Sequence, residues 1–410
     1  MKKFFMFAAM ASVALVSCVK NEPTVQVAEQ DEISFADPIM APSVKSVFEL
    51  KKFPTDKTFK VWAAFTQETA ASSDLDQKWG TYEYMEDVEV SYNVGKTAWM
   101  ATTGKYYWPT NGYLTFVAYG PSTAKVSAQD VTGTGLGLTY AVSANADEDF
   151  LVSEVAYDRK KTDNNVATGW NGENDYQGAE IVFKHALSSI VFKIKSGVYG
   201  DGDRTGADKT LPYTDLRVTK VELLNVQNKG VFNQAMTSWE NEQMVDDKDD
   251  VNLEKGWTLA PDSAESDYVA YEATDTDKGL VLTGDLQLIH DKTVDNEDTD
   301  SLALTHLIVL PQEIAPASAA PATDGVILKI TYDLRNSNMA DDTWITGQVA
   351  LRNLNLNPLA NKGVTEWLRG YRYTYNVTLT LDEITFDPEV SAWTDYDTGF
   401  DTNDITPDYN

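Results

Sequence analysis

Residues 371–381 read YRYTYNVTLTL. Tyr371, Tyr373, Tyr375, Val377 and Leu379 fall on every second position, with Arg372, Thr374, Asn376 and Thr378 between them. A period of two sends alternate side chains to opposite faces, which is the pattern of a half-buried β-strand and not of a helix. Working outward, the same grammar recurs along the chain. Short alternating or fully apolar runs rich in Val, Ile, Tyr, Phe and Thr occur at 60–65 (KVWAAF), 113–119 (YLTFVAY), 189–194 (SIVFKI) and 216–226 (LRVTKVELLNV). Others follow at 279–288 (GLVLTGDLQL), 303–310 (ALTHLIVL) and 326–332 (VILKITY). Gly, Asn, Asp and Pro separate them, as turns require. Long helical periodicity is missing, and the one helical prospect, at 361–369, reads better as a turn. Strands of this length and spacing predict an all-β chain of antiparallel sandwiches.

Acidic, Gly- and Asn-rich stretches at 161–178, 197–209, 243–250 and 291–300 read as exposed loops. The second of these (GVYGDGDRTGADK) is the best candidate for a boundary between two tandem sandwich domains, at 46–200 and 210–395. The tail at 396–410 is acidic and short of aliphatic residues, a composition that does not build a core.

The N-terminus carries a different signal. Lys2 and Lys3 precede an apolar run, 4–16 (FFMFAAMASVALV), of signal-peptide length and too short to span a bilayer. It closes on Leu15, Val16, Ser17 and Cys18, the one cysteine among 410 residues. This LVSC pattern resembles the bacterial lipobox, in which the cysteine sulfur receives a diacylglycerol. Residues 1–17 are therefore expected to be a lipoprotein signal peptide, Cys18 the lipidated residue, and 18–45 a tether holding one strand around Ile33 and Phe35. Lys20 and Glu22 loosely resemble the charged signals that send some lipoproteins to the outer face of the outer membrane. Without the leader and its thiol no disulfide is possible, so stability has to come from large cores.

Charge excludes further classes. The formal net charge is −30, which opposes binding to nucleic acid, where clustered Lys and Arg are needed. It keeps such a chain soluble and apart from its own copies. No catalytic grouping emerges. The three histidines, His185, His290 and His306, lie in no metal-ligand pattern, and two of them sit inside strand-like runs as structural residues. Gly133, Gly135 and Gly137 lack the Gly-Lys-Ser/Thr of a phosphate loop and read as a flexible loop. Asp275, Asp277 and Gly279 resemble half of a calcium loop without its distal Glu, and Asp201 with Asp203 is no more complete. Abundant acids single out no pair for glycoside hydrolysis. Trp62, Trp108 and Trp367 lie in or beside strand-like runs and read as packing. The expectation is a non-enzyme with no cofactor and no metal.

Several patterns in order resemble one family. They are Ile33-Ser34-Phe35; 59–65 (FKVWAAF); Tyr107-Trp108-Pro109 leading to Tyr113, Phe116, Ala118, Tyr119 and Pro121; 149–152 (DFLV); and 183–192 (FKHALSSIVF). The second half adds 220–223 (KVEL), Gly230 with Phe232, then Trp367, Gly370, Tyr373 and Tyr375, and finally Val390 with Trp393. Together they resemble the fimbrillin family of lipoprotein pilins, the subunits of type V pili, over nearly the whole mature chain. The resemblance implies two transthyretin-like sandwiches, lipoprotein export to the outer membrane, and a trypsin-like protease that removes the N-terminal strand. A strand from the next subunit then fills the opened groove, so the partners are other fimbrial subunits, with adhesion as the outcome.

Carried onto this chain, the removable strand contains Ile33 and Phe35. Family members often have Thr-Arg-Ala after it, whereas Val44-Lys45-Ser46 stands here and the first arginine is Arg159. Cleavage would fall after Lys45, Lys51 or Lys52. Residues 383–393 (EITFDPEVSAW) offer Ile384, Phe386, Val390 and Trp393 as a donor strand, or else as the last strand of the second domain. The competing function is a monomeric outer-membrane lipoprotein that binds host or bacterial surface glycans. Exposed Trp and Tyr clustered on one face would favour it, and buried rings favour the pilus subunit.

Overall fold

The structure is a computed structural model. It describes residues 27–40, 51–67, 82–124, 126–132, 135–141, 149–161, 178–199, 214–233, 257–259, 265–274, 278–289, 306–314, 325–336, 339, 343–354, 364–381 and 383–392. The signal peptide, Cys18, Lys45, His290, Trp393, the acidic tail and both candidate calcium pairs lie outside them.

Every regular element described is a strand. The first are β1 (Val27–Glu32), β2 (Ile39–Met40), β3 (Lys51–Lys52), β4 (Phe59–Gln67), β5 (Tyr82–Asn93), β6 (Ala98–Ala101), β7 (Tyr107–Pro109) and β8 (Gly112–Gly120). Next come β9 (Val126–Thr132), β10 (Gly135–Ala141), β11 (Leu151–Ser153), β12 (Ala156–Arg159), β13 (Val182–His185) and β14 (Ser188–Ser196). The second half holds β15 (Thr214–Gln227), β16 (Lys229–Asn233), β17 (Trp257–Leu259), β18 (Glu265–Glu272), β19 (Leu280–Val281), β20 (Gln287–Leu288) and β21 (Leu307–Val309). It closes with β22 (Gln312–Glu313), β23 (Ile327–Asn336), β24 (Ile345–Asn353), β25 (Glu366–Trp367), β26 (Tyr371–Leu379) and β27 (Ile384–Ala392).

The first large sheet runs β3-β2-β13-β11-β8-β4-β5-β6, with β12 also on β8. Its central strands explain their fully apolar sequences. On β4, Val61, Ala63 and Phe65 enter one core, and on β8 so do Leu114, Phe116 and Ala118. The alternate residues Trp62, Val117 and Tyr119, with Phe150 and Val152 flanking Leu151, face the other way into a second, larger core. A strand buried on both faces offers few polar positions, and Thr115 is the buried exception on β8.

Two further sheets pack around that larger core. One runs β20-β14-β26-β27 with β21 on β14, the other β18-β15-β23-β24 with β19 on β15. The alternation at 371–379 is met in the structure: Tyr373, Tyr375, Val377 and Leu379 are buried against Leu216, Val218, Val221 and Leu223 of β15 and Leu328 and Ile330 of β23. The buried phenols find partners, as they must. Tyr373 Oη accepts the Leu368 amide at 2.7 Å, and Tyr375 Oη accepts from Trp367 Nε1 at 2.9 Å. Residues 364–370 form a short strand and a turn.

Most pairings are antiparallel. Among the described strands two pairings are parallel: β13 with β2, and β14 with β26 over the full span Ser189↔Arg372 to Ser196↔Leu379. Residues 188–196, expected within the unit 46–200, thus hydrogen-bond to the last strands of the chain. The cores change over between Phe183 and Ala186, upstream of the loop at 197–209 that the composition favoured. The crossing is made by Ala186 and Leu187, which carry no turn residue to mark it. A small sheet, β17-β16-β10-β9, also joins the halves, pairing Gly137 with Asn233 and Ala141 with Lys229. Gly135 and Gly137, expected in a loop, are strand residues there.

Candidate functional site

The first core is closed by the segment that follows β1. On β1, Val27 and Glu32 pair with Pro109 and Tyr107 of β7. Beyond it the chain is hydrogen-bonded on both sides. On one flank the Ile33 amide donates to Tyr106 O at 2.7 Å and the Phe35 amide to Trp99 O at 2.9 Å. On the other, the Ala179 amide donates to Ser34 O at 2.8 Å, Ala36 to Ala179 O at 3.0 Å, and Ile39 to Ile181 O at 3.2 Å. Phe35 bridges Trp99 antiparallel and Ala179 parallel, and β2 continues the parallel contact through Ile39↔Val182 and Met40↔Phe183. The segment thus joins the β6 end of the large sheet to its β13 side, so that no edge is left open there.

Side chains fill what the backbone closes. Ile33 and Phe35, two residues apart as an extended backbone needs to set them on one face, are buried, and so is Met40 on β2. The Phe35 ring stands edge-on to Phe59 at 5.9 Å and to Phe116 at 5.6 Å. Phe53 completes the aromatic cluster against Phe59, Trp99 and Phe183 at 5.8, 5.6 and 5.2 Å. Gly178 makes the close approach possible. Its φ is +120°, and a Cβ there would lie 2.4 Å from the Phe35 carbonyl carbon.

The ion pairs at the rim are weaker elements. Lys96 meets Glu32 at 3.0 Å and Lys52 meets Asp37 at 2.7 Å. The Asp37 hydrogen bond and charge raise the Lys52 ammonium above its ordinary value. With 65% and 43% of the two side chains exposed, that contact contributes little to stability. Glu180, beside the seat, is pushed up from the usual carboxylate range by burial, opposed by Arg159 and reinforced by Glu154.

The sequence-derived candidates distribute as follows. Ile33 and Phe35 are both in the seat. Lys51 and Lys52 form β3, paired antiparallel with Met40 and Ile39, and the next residue, Phe53, is buried. At the far end Ile384 and Phe386 are buried in the larger core, while Val390 is 42% exposed. They lie on β27, which pairs along its whole length with β26, from Leu379↔Ile384 to Tyr371↔Ala392. Pro388 sits opposite Tyr375 on an edge strand, where its missing N–H is tolerated.

His185 is a buried structural residue, its Nδ1 2.7 Å from Oδ2 of buried Asp149. Among the described residues no group of three or more His, Cys, Asp or Glu could hold a metal ion. Trp62, Trp108 and Trp367 are buried packing residues, as are Trp99 and Trp257. What sequence reasoning missed is the receiving side: Tyr106, Trp99 and 178–181 give no sign in isolation that they flank one strand.

Against this fold the fimbrillin-like family matches residues 50–393. The chain belongs to the fimbrillin-like family. Among solved structures, this fimbrillin is similar to a fimbrial protein from Bacteroides vulgatus at 17% identity, over 88% of this chain and 99% of that one, with a TM-score of 0.53. A protein from Bacteroides uniformis, provisionally described as a cell adhesion protein, matches at 16% identity over 88% and 99%, with a TM-score of 0.44. The tip fimbrial protein Mfa3 from Porphyromonas gingivalis matches at 10% identity over 88% and 100%, with a TM-score of 0.34. No curated protein matches the chain. Membership makes this fimbrillin a fimbrial subunit of the cell surface that associates with other fimbrial subunits.

Proposed function

We propose that this fimbrillin is exported as a lipoprotein, held at the outer membrane through Cys18, and built into a fimbria by strand exchange. A protease cuts after Lys45, Lys51 or Lys52 and frees the segment containing Ile33 and Phe35. An apolar strand of another subunit then takes the vacated seat. The strand with Ile384, Phe386, Val390 and Trp393 is the donor that this subunit offers in turn.

One observation carries the reading. The N-terminal segment is bonded by its backbone on both flanks and buries Ile33, Phe35 and Met40, so its loss would open a groove two strands wide at its lips and apolar at its floor. Such a groove exposes core and unpaired backbone together, and a replacement strand satisfies both. The position of the lysines supports the same reading. Cutting after Lys52 severs the chain next to the seat, yet leaves Phe53 in the core. Glycan binding draws less support, because five of the six described tryptophans are buried and Trp344 is half-buried against two arginines.

Limited trypsin digestion of the leaderless protein tests this, followed by size-exclusion chromatography and N-terminal sequencing. Cleavage at one of the three lysines with a shift to SDS-resistant multimers is the expected result. Cleavage without any change in size, or a protein that keeps its N-terminal segment uncut, would leave a lipoprotein that does not polymerise this way.

A further inference from the structure

The strands β18, β24 and β27 each lie at the edge of a sheet, and their sequences treat that position differently. On β18 (ESDYVAYE) the edge carries Glu265, Asp267 and Glu272, and on β27 (ITFDPEVSA) it carries Asp387, Pro388 and Glu389. Acids and proline are the usual means of stopping one sheet edge from joining another. On β24 (ITGQVALRN) there is no acid, no lysine and no proline. Its one charge, Arg352, is 3.3 Å from Glu383 of the same chain.

Register settles which side chains this edge shows. Leu351 stands opposite Lys329 and Val349 opposite Thr331, on the outer face, and they are 59% and 53% exposed. Behind them the charges are already balanced, with Lys329 and Lys220 at 2.8 and 3.1 Å from Glu222. The register shift near Gly347, whose amide donates to Asp333 Oδ1 at 3.2 Å, bends the start of the strand and leaves its second half regular.

For a chain with a net charge of −30, most approaches of a second copy bring carboxylate against carboxylate. At β24 that opposition is missing, while main-chain groups and apolar side chains are on offer. We propose that β24 pairs antiparallel with β24 of a second copy of this chain about a two-fold axis at Ala350. This register sets Val349 of each copy directly opposite Leu351 of the other, on the same face of a sheet that runs through both molecules. The contact is lateral and does not use the N-terminal seat, so it stands or falls independently of strand exchange.

The test uses the full chain in detergent with Cys18→Ala, which removes its single natural thiol. Sedimentation velocity across a concentration series should show a monomer–dimer equilibrium that tightens as salt screens the net charge. Val349→Glu with Leu351→Glu should raise the dimer dissociation constant at least tenfold without moving the thermal midpoint read at concentrations where the chain is monomeric, since both side chains are exposed. Mixing Val349→Cys and Leu351→Cys chains under oxidation should give cross-linked dimers, while Val390→Cys on the acidic edge of β27 should not. A chain that sediments as a monomer throughout would overturn the proposal. So would dimers indifferent to the glutamates, or cross-linking through Val390→Cys as efficient as through β24.

Discussion

The amide of Phe35 donates a 2.9 Å hydrogen bond to the carbonyl of Trp99, from a strand 64 residues further along the chain. That bond, with the one from Ala179 to Ser34 on the other flank, makes the N-terminal segment a member of the first core rather than a tether lying on it. Its ring then packs edge-on between Phe59 and Phe116. Phe35→Ala deletes a fully enclosed side chain where the surrounding sheet cannot collapse. We expect a loss of about 3–5 kcal/mol, read by urea denaturation. A loss below about 1 kcal/mol, the scale of a surface change, would mean that the segment adds little to the core.

Gly178 offers a backbone route to the same seat. With φ at +120° and the Phe35 backbone 2.4 Å from where a Cβ would be, neither chain can give way cheaply. Gly178→Ala is expected to destabilise by more than about 1 kcal/mol. It should also raise the rate at which protease removes the N-terminal segment, followed by gel electrophoresis. An unchanged cleavage rate would show that the segment is held elsewhere.

Much of this arrangement was legible from residue order. The alternation at 371–379 marked the buried Tyr373 and Tyr375 before any partner was known. The strand expected around Ile33 and Phe35, by contrast, lies just before them, at Val27–Glu32, with Phe35 as an isolated bridge residue. Pairing was less legible. Ser34 meets Ala179 and Ser189 meets Arg372 because the cores bring them together, and no local periodicity encodes a partner more than a hundred residues away. The crossing at Ala186–Leu187 escaped notice for a related reason. Gly- and Asp-rich loops look like boundaries, whereas a change of sheet made by two small or apolar residues looks like a continuing strand. Gly135 and Gly137 misled in the opposite sense, being strand residues, Gly135 paired with Thr132 and Gly137 with Asp130 and Asn233.

Acid should loosen the outer face of the second half. Burial alone would push Glu222 up, but hydrogen bonds and charges from Lys329 and Lys220 outweigh it and hold the carboxyl below its ordinary range. The native state therefore binds fewer protons than the unfolded chain between the two pKa values. The stabilisation is complete above the unfolded value of 4.5 and is lost as pH falls through the lower, folded one. Glu222→Gln should cost about 1–3 kcal/mol near neutrality and flatten the acid limb of the stability curve. Chemical denaturation at several pH values checks both, and an unchanged limb would place the acid sensitivity on other carboxylates.

The proposed lipid anchor rests on Cys18. If its sulfur carries the lipid, Cys18→Ala abolishes incorporation of labelled palmitate and releases the chain from the outer-membrane fraction. Labelling that survives the substitution would remove the lipobox reading, while leaving the fold and the N-terminal seat untouched.

Trp257 tests how firmly the two halves are joined. It lies on β17, at the end of the small sheet shared by both, and its Nε1 donates to Ala186 O at 2.7 Å where the chain crosses between cores. Its ring also meets Phe232 at 5.3 Å and Phe150 at 6.3 Å, so one side chain touches residues from both parts of the sequence. Trp257→Phe keeps most of the apolar contact but removes the indole donor from the carbonyl of the buried Ala186. We expect a loss of about 1–3 kcal/mol, together with faster amide exchange at Ala186 and Gly370, whose amides donate to Phe150 O and Leu187 O at the crossing. If the global loss occurs without that local change in exchange, the indole acts through packing alone and the hydrogen bond is not what ties the crossing down.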